Sequence, residues 1–140
     1  MRMQVANALF HKGIALGELG RADEAIAVYD DIVARFGTTS EPELRERVAQ
    51  ALVNKGGALV ELGSANDAIA VYDDVVDRLG TASHLALAMA LLSKGVTLGK
   101  LGCTEEAIAV YDDLVDRFGR AIELRVREQV ANALVNKGVT

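Results

Sequence analysis

The chain has 140 residues, and its 15 lysines and arginines stand against 20 aspartates and glutamates, for a formal net charge of −5. That balance speaks against nucleic acid as a partner, because phosphate binding needs a concentrated basic surface. Hydrophobic residues reach 51%, but they are mostly alanine interleaved with charge, and no run approaches the ~18 consecutive apolar residues of a membrane span.

A lone cysteine, Cys103, cannot close an internal disulfide, and no Cys/His cluster has zinc spacing. A soluble protein of the reducing cytoplasm is expected, with no metal and no membrane contact.

The letters Ala-Ile-Ala-Val-Tyr-Asp-Asp are written three times, at 25–31, 68–74 and 107–113. A lysine-glycine pair recurs at Lys12-Gly13, Lys55-Gly56, Lys94-Gly95 and Lys137-Gly138, at intervals of 43, 39 and 43 residues. A period of this size marks a stacked array of repeats rather than one closed core. Units are expected at 1–37, 38–80 and 81–119, with part of a fourth at 120–140. Both ends fall inside a unit, so a fragment of a longer repeat protein is expected.

Each unit reads as two helices. The first helix of the first unit runs to Leu19-Gly20, and its partner follows after a few residues, so the two fold back as an antiparallel hairpin. In the second helix, Ala25, Ile26, Tyr29, Ile32, Val33 and Phe36 form one apolar stripe at helical spacing. Asp30, Asp31 and Arg35 fall on the other side. Gly37 stops the stripe, where a left-handed C-cap is expected.

The link to the second unit holds Ser40-Glu41-Pro42-Glu43, which has capping-box spacing with proline in the first turn. It predicts a front extension of the next helix, with Leu44, Val48, Leu52, Leu59 and Leu62 along one face. Ser64 is the expected N-cap of the following helix, whose stripe is Ala68, Ile69, Tyr72, Val75, Val76 and Leu79. The third unit starts its long helix near Ser83, about one turn shorter. Its second stripe runs through Ala107, Ile108, Tyr111, Leu114, Val115 and Phe118. Cys103 falls in the hairpin turn and is expected to be exposed.

The spacing of Leu9, Gly13, Leu16, Gly20, Ala25, Tyr29 and Gly37 resembles the tetratricopeptide repeat, in its long bacterial form of about 39–43 residues. The match recurs at Leu52, Gly56, Leu59, Gly63, Ala68, Tyr72 and Gly80, and again at Leu91, Gly95, Leu98, Gly102, Ala107, Tyr111 and Gly119. The family's aromatic at the Leu9 position and its proline after the second helix are missing here, and the unit is longer than the usual 34. The resemblance implies an all-α superhelix of about seven helices, a solenoid of antiparallel pairs.

Such arrays bind peptides or protein segments along a concave face lined by first helices. Carried over by position, that face comprises Asn7, Phe10, His11 and Ile14, then Gln50, Val53, Asn54 and Gly57, then Met89, Leu92, Ser93 and Val96. Asn132, Val135 and Asn136 follow in the partial fourth unit. Some relatives clamp a C-terminal carboxylate with Lys, Arg and Asn. The matching positions here offer Asn54 but otherwise Phe10, Ile14, Met89 and Ser93, so no such clamp is expected.

The recurrent lysines either form a basic ladder in the groove or pair with aspartates of neighbouring second helices. The aspartate pairs read as a solvated outer face, because Asp31/Arg35, Asp74/Arg78 and Asp113/Arg117 sit at i,i+4. No catalytic constellation, phosphate loop or cofactor fingerprint is present. A non-enzymatic interaction scaffold is therefore expected. The alternatives are self-assembly through the terminal helices, where Val130 to Leu134 repeats Val5 to Leu9, or a regulatory arm of a larger signalling enzyme.

Overall fold

The computed structural model describes residues 1–80, 83–119 and 131–132, and every regular element among them is helical. Helices α1 (Arg2–Glu18) and α2 (Ala22–Phe36) make the first pair, and α3 (Pro42–Glu61) and α4 (Ala65–Asp74) the second. Helix α5 (His84–Lys100) and α6 (Thr104–Phe118) make the third. Each helix packs on the next in the chain, while α1 also touches α3 and α3 touches α5. Pairs stacked with their first helices side by side are the expected all-α superhelix. Six helices are described where about seven were expected, and the segment expected to hold the seventh, 120–140, lies largely outside the described residues.

The packing follows from the repeated letters. In each second helix the positions i, i+4, i+7 and i+11 are buried: Ala25, Tyr29, Ile32 and Phe36, then Ala68, Tyr72, Val75 and Leu79, then Ala107, Tyr111, Leu114 and Phe118. Their neighbours Ile26, Val33, Ile69 and Val76 are half-buried. Each tyrosine ring lies against the glycine of its own unit's first helix. A Cβ on Gly13 would stand 2.8 Å from Tyr29 Cζ, on Gly56 2.6 Å from Tyr72 Cζ, and on Gly95 2.8 Å from Tyr111 Cδ1. These are overlaps, so glycine alone lets the two backbones approach this closely.

Several local expectations are corrected. The left-handed glycines end the first helices: Gly20, Gly63 and Gly102 have φ of 74°, 79° and 80°. There the Arg21, Ser64 and Cys103 amides donate back to the Leu16, Leu59 and Leu98 carbonyls at 2.8–2.9 Å, closing the helix ends by a Schellman turn. Gly37, Gly80 and Gly119 stay right-handed instead. The N-cap of α3 is Glu41, with Pro42 first in the helix and no side-chain cap, so the Ser40/Glu43 box does not form.

Ser64 occupies its N-cap position without a side-chain bond, whereas Ser83 Oγ accepts from the Ala86 amide at 3.1 Å. Leu62 is exposed at its C-cap, as Leu19 and Leu101 are. Helix α3 has 20 residues and α5 17, which is the expected shortening. A π-helical turn, Val75–Leu79, extends α4, a feature that the near-identical letters of α2 and α6 do not share.

Candidate functional site

The first helices α1, α3 and α5 leave a groove along their shared side. One cavity of about 440 Å³ is lined by Ile14, Tyr29, Val53, Asn54, Gly57, Met89 and Ser93, with Glu18 and Glu61 among its remaining walls. A second, of about 250 Å³, is lined by Phe10, Arg47, Gln50, Val53, Asn54, Ala86 and Met89. Val53, Asn54 and Met89 belong to both, so the two form one continuous depression. The structure thus brings together Phe10, Ile14, Gln50, Val53, Asn54, Gly57, Met89 and Ser93 from the expected set.

The others lie elsewhere. Asn7 is half-buried with its Oδ1 hidden and without a partner, outside these cavities. His11 is exposed and sets its ring edge against Phe10 at 5.9 Å. Leu92 and Val96 pack against the third unit's core. Asn132 is exposed on a helical stretch, while Val135 and Asn136 lie outside the described residues.

Arg47 was not expected. It enters the groove because the front extension carries the Gln50/Asn54 face one turn further back, at i, i+3 and i+7. Extending that stripe backwards from Gln50 would have found it. The guanidinium stacks on the Phe10 ring at 4.5 Å and donates to Gln50 Oε1 at 2.8 Å.

Tyr29 and Tyr72, which seal the first two pairs, also line the larger cavity. Burial raises the Tyr29 phenol above its ordinary range, and the Asn54 side chain hydrogen-bonded to it acts the other way. Tyr72 is raised for the same reason, with Ser93 and Thr97 opposing. Asn54 and Ser93 are one position in successive units, so each links its first helix to the tyrosine of the unit before.

Lys55 and Lys94 pair across units rather than joining a basic ladder, while Lys12, in the first unit, is exposed. Lys55 Nζ meets Asp30 Oδ1 at 2.7 Å and Lys94 Nζ meets Asp73 Oδ1 at 2.6 Å. In each case the lysine of one first helix ties down the preceding second helix, its stem half-buried. Lys137 lies outside the described residues. The surface pairs Asp31/Arg35, Asp74/Arg78 and Asp113/Arg117 all form, at 3.0, 2.5 and 2.9 Å.

Cys103 is half-buried against the third unit's core, not exposed, and its thiol is free. His84 begins α5 with its ring 6.1 Å from that of Phe118. Among the described residues no three His, Cys, Asp or Glu side chains gather as a metal site. None of the described helices is long and apolar enough to cross a membrane.

A family model for the tetratricopeptide repeat matches residues 10–84, more than half of the chain. No curated protein matches it. The matched stretch runs from Phe10 in α1 to His84 at the start of α5, so it spans the Gly13/Tyr29 and Gly56/Tyr72 pairs and most of the groove. Members of the family generally mediate contacts between proteins. With helix pairs stacked in register and glycine set against tyrosine in each, the chain belongs to the tetratricopeptide repeat family.

Proposed function

We propose that this chain is a non-enzymatic interaction module of the cytoplasm that holds a peptide or protein segment in the groove of α1, α3 and α5. The observation that supports this reading is the continuous depression around Val53, Asn54 and Met89. It mixes apolar side chains with amide and hydroxyl groups, which suits a segment that buries side chains while its backbone finds hydrogen-bond partners. The outer face, by contrast, is occupied by paired charges, which leave little for a partner to satisfy. The units 1–37, 38–80 and 81–119 act together in this reading, because the groove is built from all three first helices.

The test selects random twelve-residue peptides displayed on phage against the folded chain, then measures a synthetic copy by fluorescence anisotropy. Met89→Glu, in the groove floor, is expected to weaken binding at least about tenfold, since it places a charge where apolar contact is made. Ala70→Glu, on the exposed outer side of α4, is expected to leave binding unchanged. Equal loss in both variants, or none in Met89→Glu, places the binding surface elsewhere.

A further inference from the structure

From the surroundings of Arg47 we infer that the groove selects segments by charge: an acidic side chain is anchored on Arg47, apolar residues follow, and a basic side chain ends at Glu18 and Glu61. This rests on the groove reading above and names the partner's chemistry. Arg47 is half-buried, forms no ion pair with any described residue, and keeps its Nε hidden from solvent without an acceptor. The two half-buried lysines of α3 and α5 show the usual solution, since each has its aspartate. A partly desolvated guanidinium without a carboxylate is incomplete, and an outside carboxylate completes it.

The guanidinium keeps one nitrogen for such a carboxylate: Nη1 donates to Gln50 and Nε is hidden, whereas Nη2 is neither bonded to a described residue nor hidden. Stacking on Phe10 uses the face of the guanidinium, while its donors point along the plane of the group, where a carboxylate binds edge-on.

Arg47 also lines a second hollow of about 300 Å³ with Met3, Glu43, Glu46 and Gln50. The depression therefore continues past Arg47 on both sides, so a chain can run across it. An acidic side chain within the segment fits this better than a chain end. At the opposite end of the groove, Glu18 and Glu61 line the larger cavity, and neither forms an ion pair with a described residue. From Arg47 to Glu61 along α3 is about 21 Å at the helical rise, the span of about six extended residues. The partner's two charges are therefore about six positions apart, with apolar side chains between them over Val53 and Met89.

The phage selection described above reads this directly. Recovered twelve-residue peptides are expected to share an Asp or Glu with a Lys or Arg about six positions away. A synthetic copy blocked at both ends binds wild type, and replacing its acid by the amide weakens it about tenfold. Arg47→Gln weakens the blocked peptide by the same factor and no longer distinguishes acid from amide, whereas Arg47→Lys retains part of the preference. Arg45→Gln, whose guanidinium instead reaches the Arg78 carbonyl at 3.4 Å, leaves it intact.

Should Arg47→Gln melt early by circular dichroism, the acid-to-amide change measured on wild type decides alone. Peptides that bind without acidic enrichment, or that need only a free C-terminal carboxylate, overturn the charge rule and leave the groove reading standing. Recovery of no peptide at all overturns both.

Discussion

The seam between paired helices and the groove beside it are cut from the same first helices, one residue apart, yet they treat sequence in opposite ways. Along the seam the units repeat without change: Gly13 on Tyr29, Gly56 on Tyr72, Gly95 on Tyr111. Along the groove the equivalent positions that line it differ from unit to unit: Gln50 and Met89, Phe10 and Val53, Asn54 and Ser93, Ile14 and Gly57. The seam tolerates one solution because a single added carbon overlaps a ring. The groove meets solvent or a partner, so each unit can present different chemistry on an unchanged frame. What repeats in this chain holds it together, and what varies is gathered along the groove.

The strongest way to break that contrast is at Gly56. Gly56→Ala puts a methyl group 2.6 Å from Tyr72 Cζ and 2.9 Å from its hydroxyl oxygen, so the ring must move out of a filled site. Overpacking of this kind costs about 1–3 kcal/mol, which exceeds the ~0.5–1 kcal/mol that alanine gains over glycine inside a helix. The middle unit is the worst place for it, because in an array each unit is stabilised through its neighbours. A clear fall in the urea midpoint is expected. An unchanged midpoint would mean that the seam yields as easily as the groove, and the contrast would be lost.

A smaller effect comes from the tyrosines as the pH rises. Burial raises the Tyr72 phenol above its ordinary value of 10.0, so the folded chain keeps a proton that the unfolded chain gives up first. Stability from this source is intact below about pH 10 and is lost as pH climbs through the raised folded value. Alkaline pH acts on the rest of the chain too, so the informative quantity is a difference. Urea midpoints at pH 9 and pH 11 are expected to fall further for wild type than for Tyr72→Phe. An equal fall would assign the alkaline loss to groups other than Tyr72.

The same contrast explains which parts of the structure could be read in advance. The helix pairs, their hairpin turns and the Gly/Tyr seam were legible because each depends on letters that recur at fixed spacing. The shorter third unit was legible too, since Ser83 marks the helix start and caps it.

The glycines were harder. Gly37 and Gly20 both follow an apolar stripe, but only Gly20 takes the left-handed conformation, because only there does the chain reverse at once into its partner helix. Arg47 was missed because it sits on the extension before the motif, where the shorter family pattern offers no counterpart. Leu92 and Val96 were placed in the groove by position, yet they pack on the third unit's core. A residue's place in a repeat names its helix face, whereas the core it packs against decides whether that face is open.

The finest test of the contrast compares neighbours. Gly57 follows Gly56 in α3, but a Cβ built on it meets nothing within 4 Å, and it is not among the glycines with positive φ. Gly57→Ala should therefore gain the ordinary helix-interior benefit of about 0.5–1 kcal/mol without any overlap, raising the urea midpoint where Gly56→Ala lowers it. Gly57 also lines the larger cavity, so the added methyl narrows the groove floor, and affinity for a selected peptide can shift while stability rises. Opposite signs from adjacent glycines would show that stability is decided by the ring behind Gly56 and recognition by the open space before Gly57. A loss of stability in both would mean that the groove is as tightly filled as the seam and has no room for a partner.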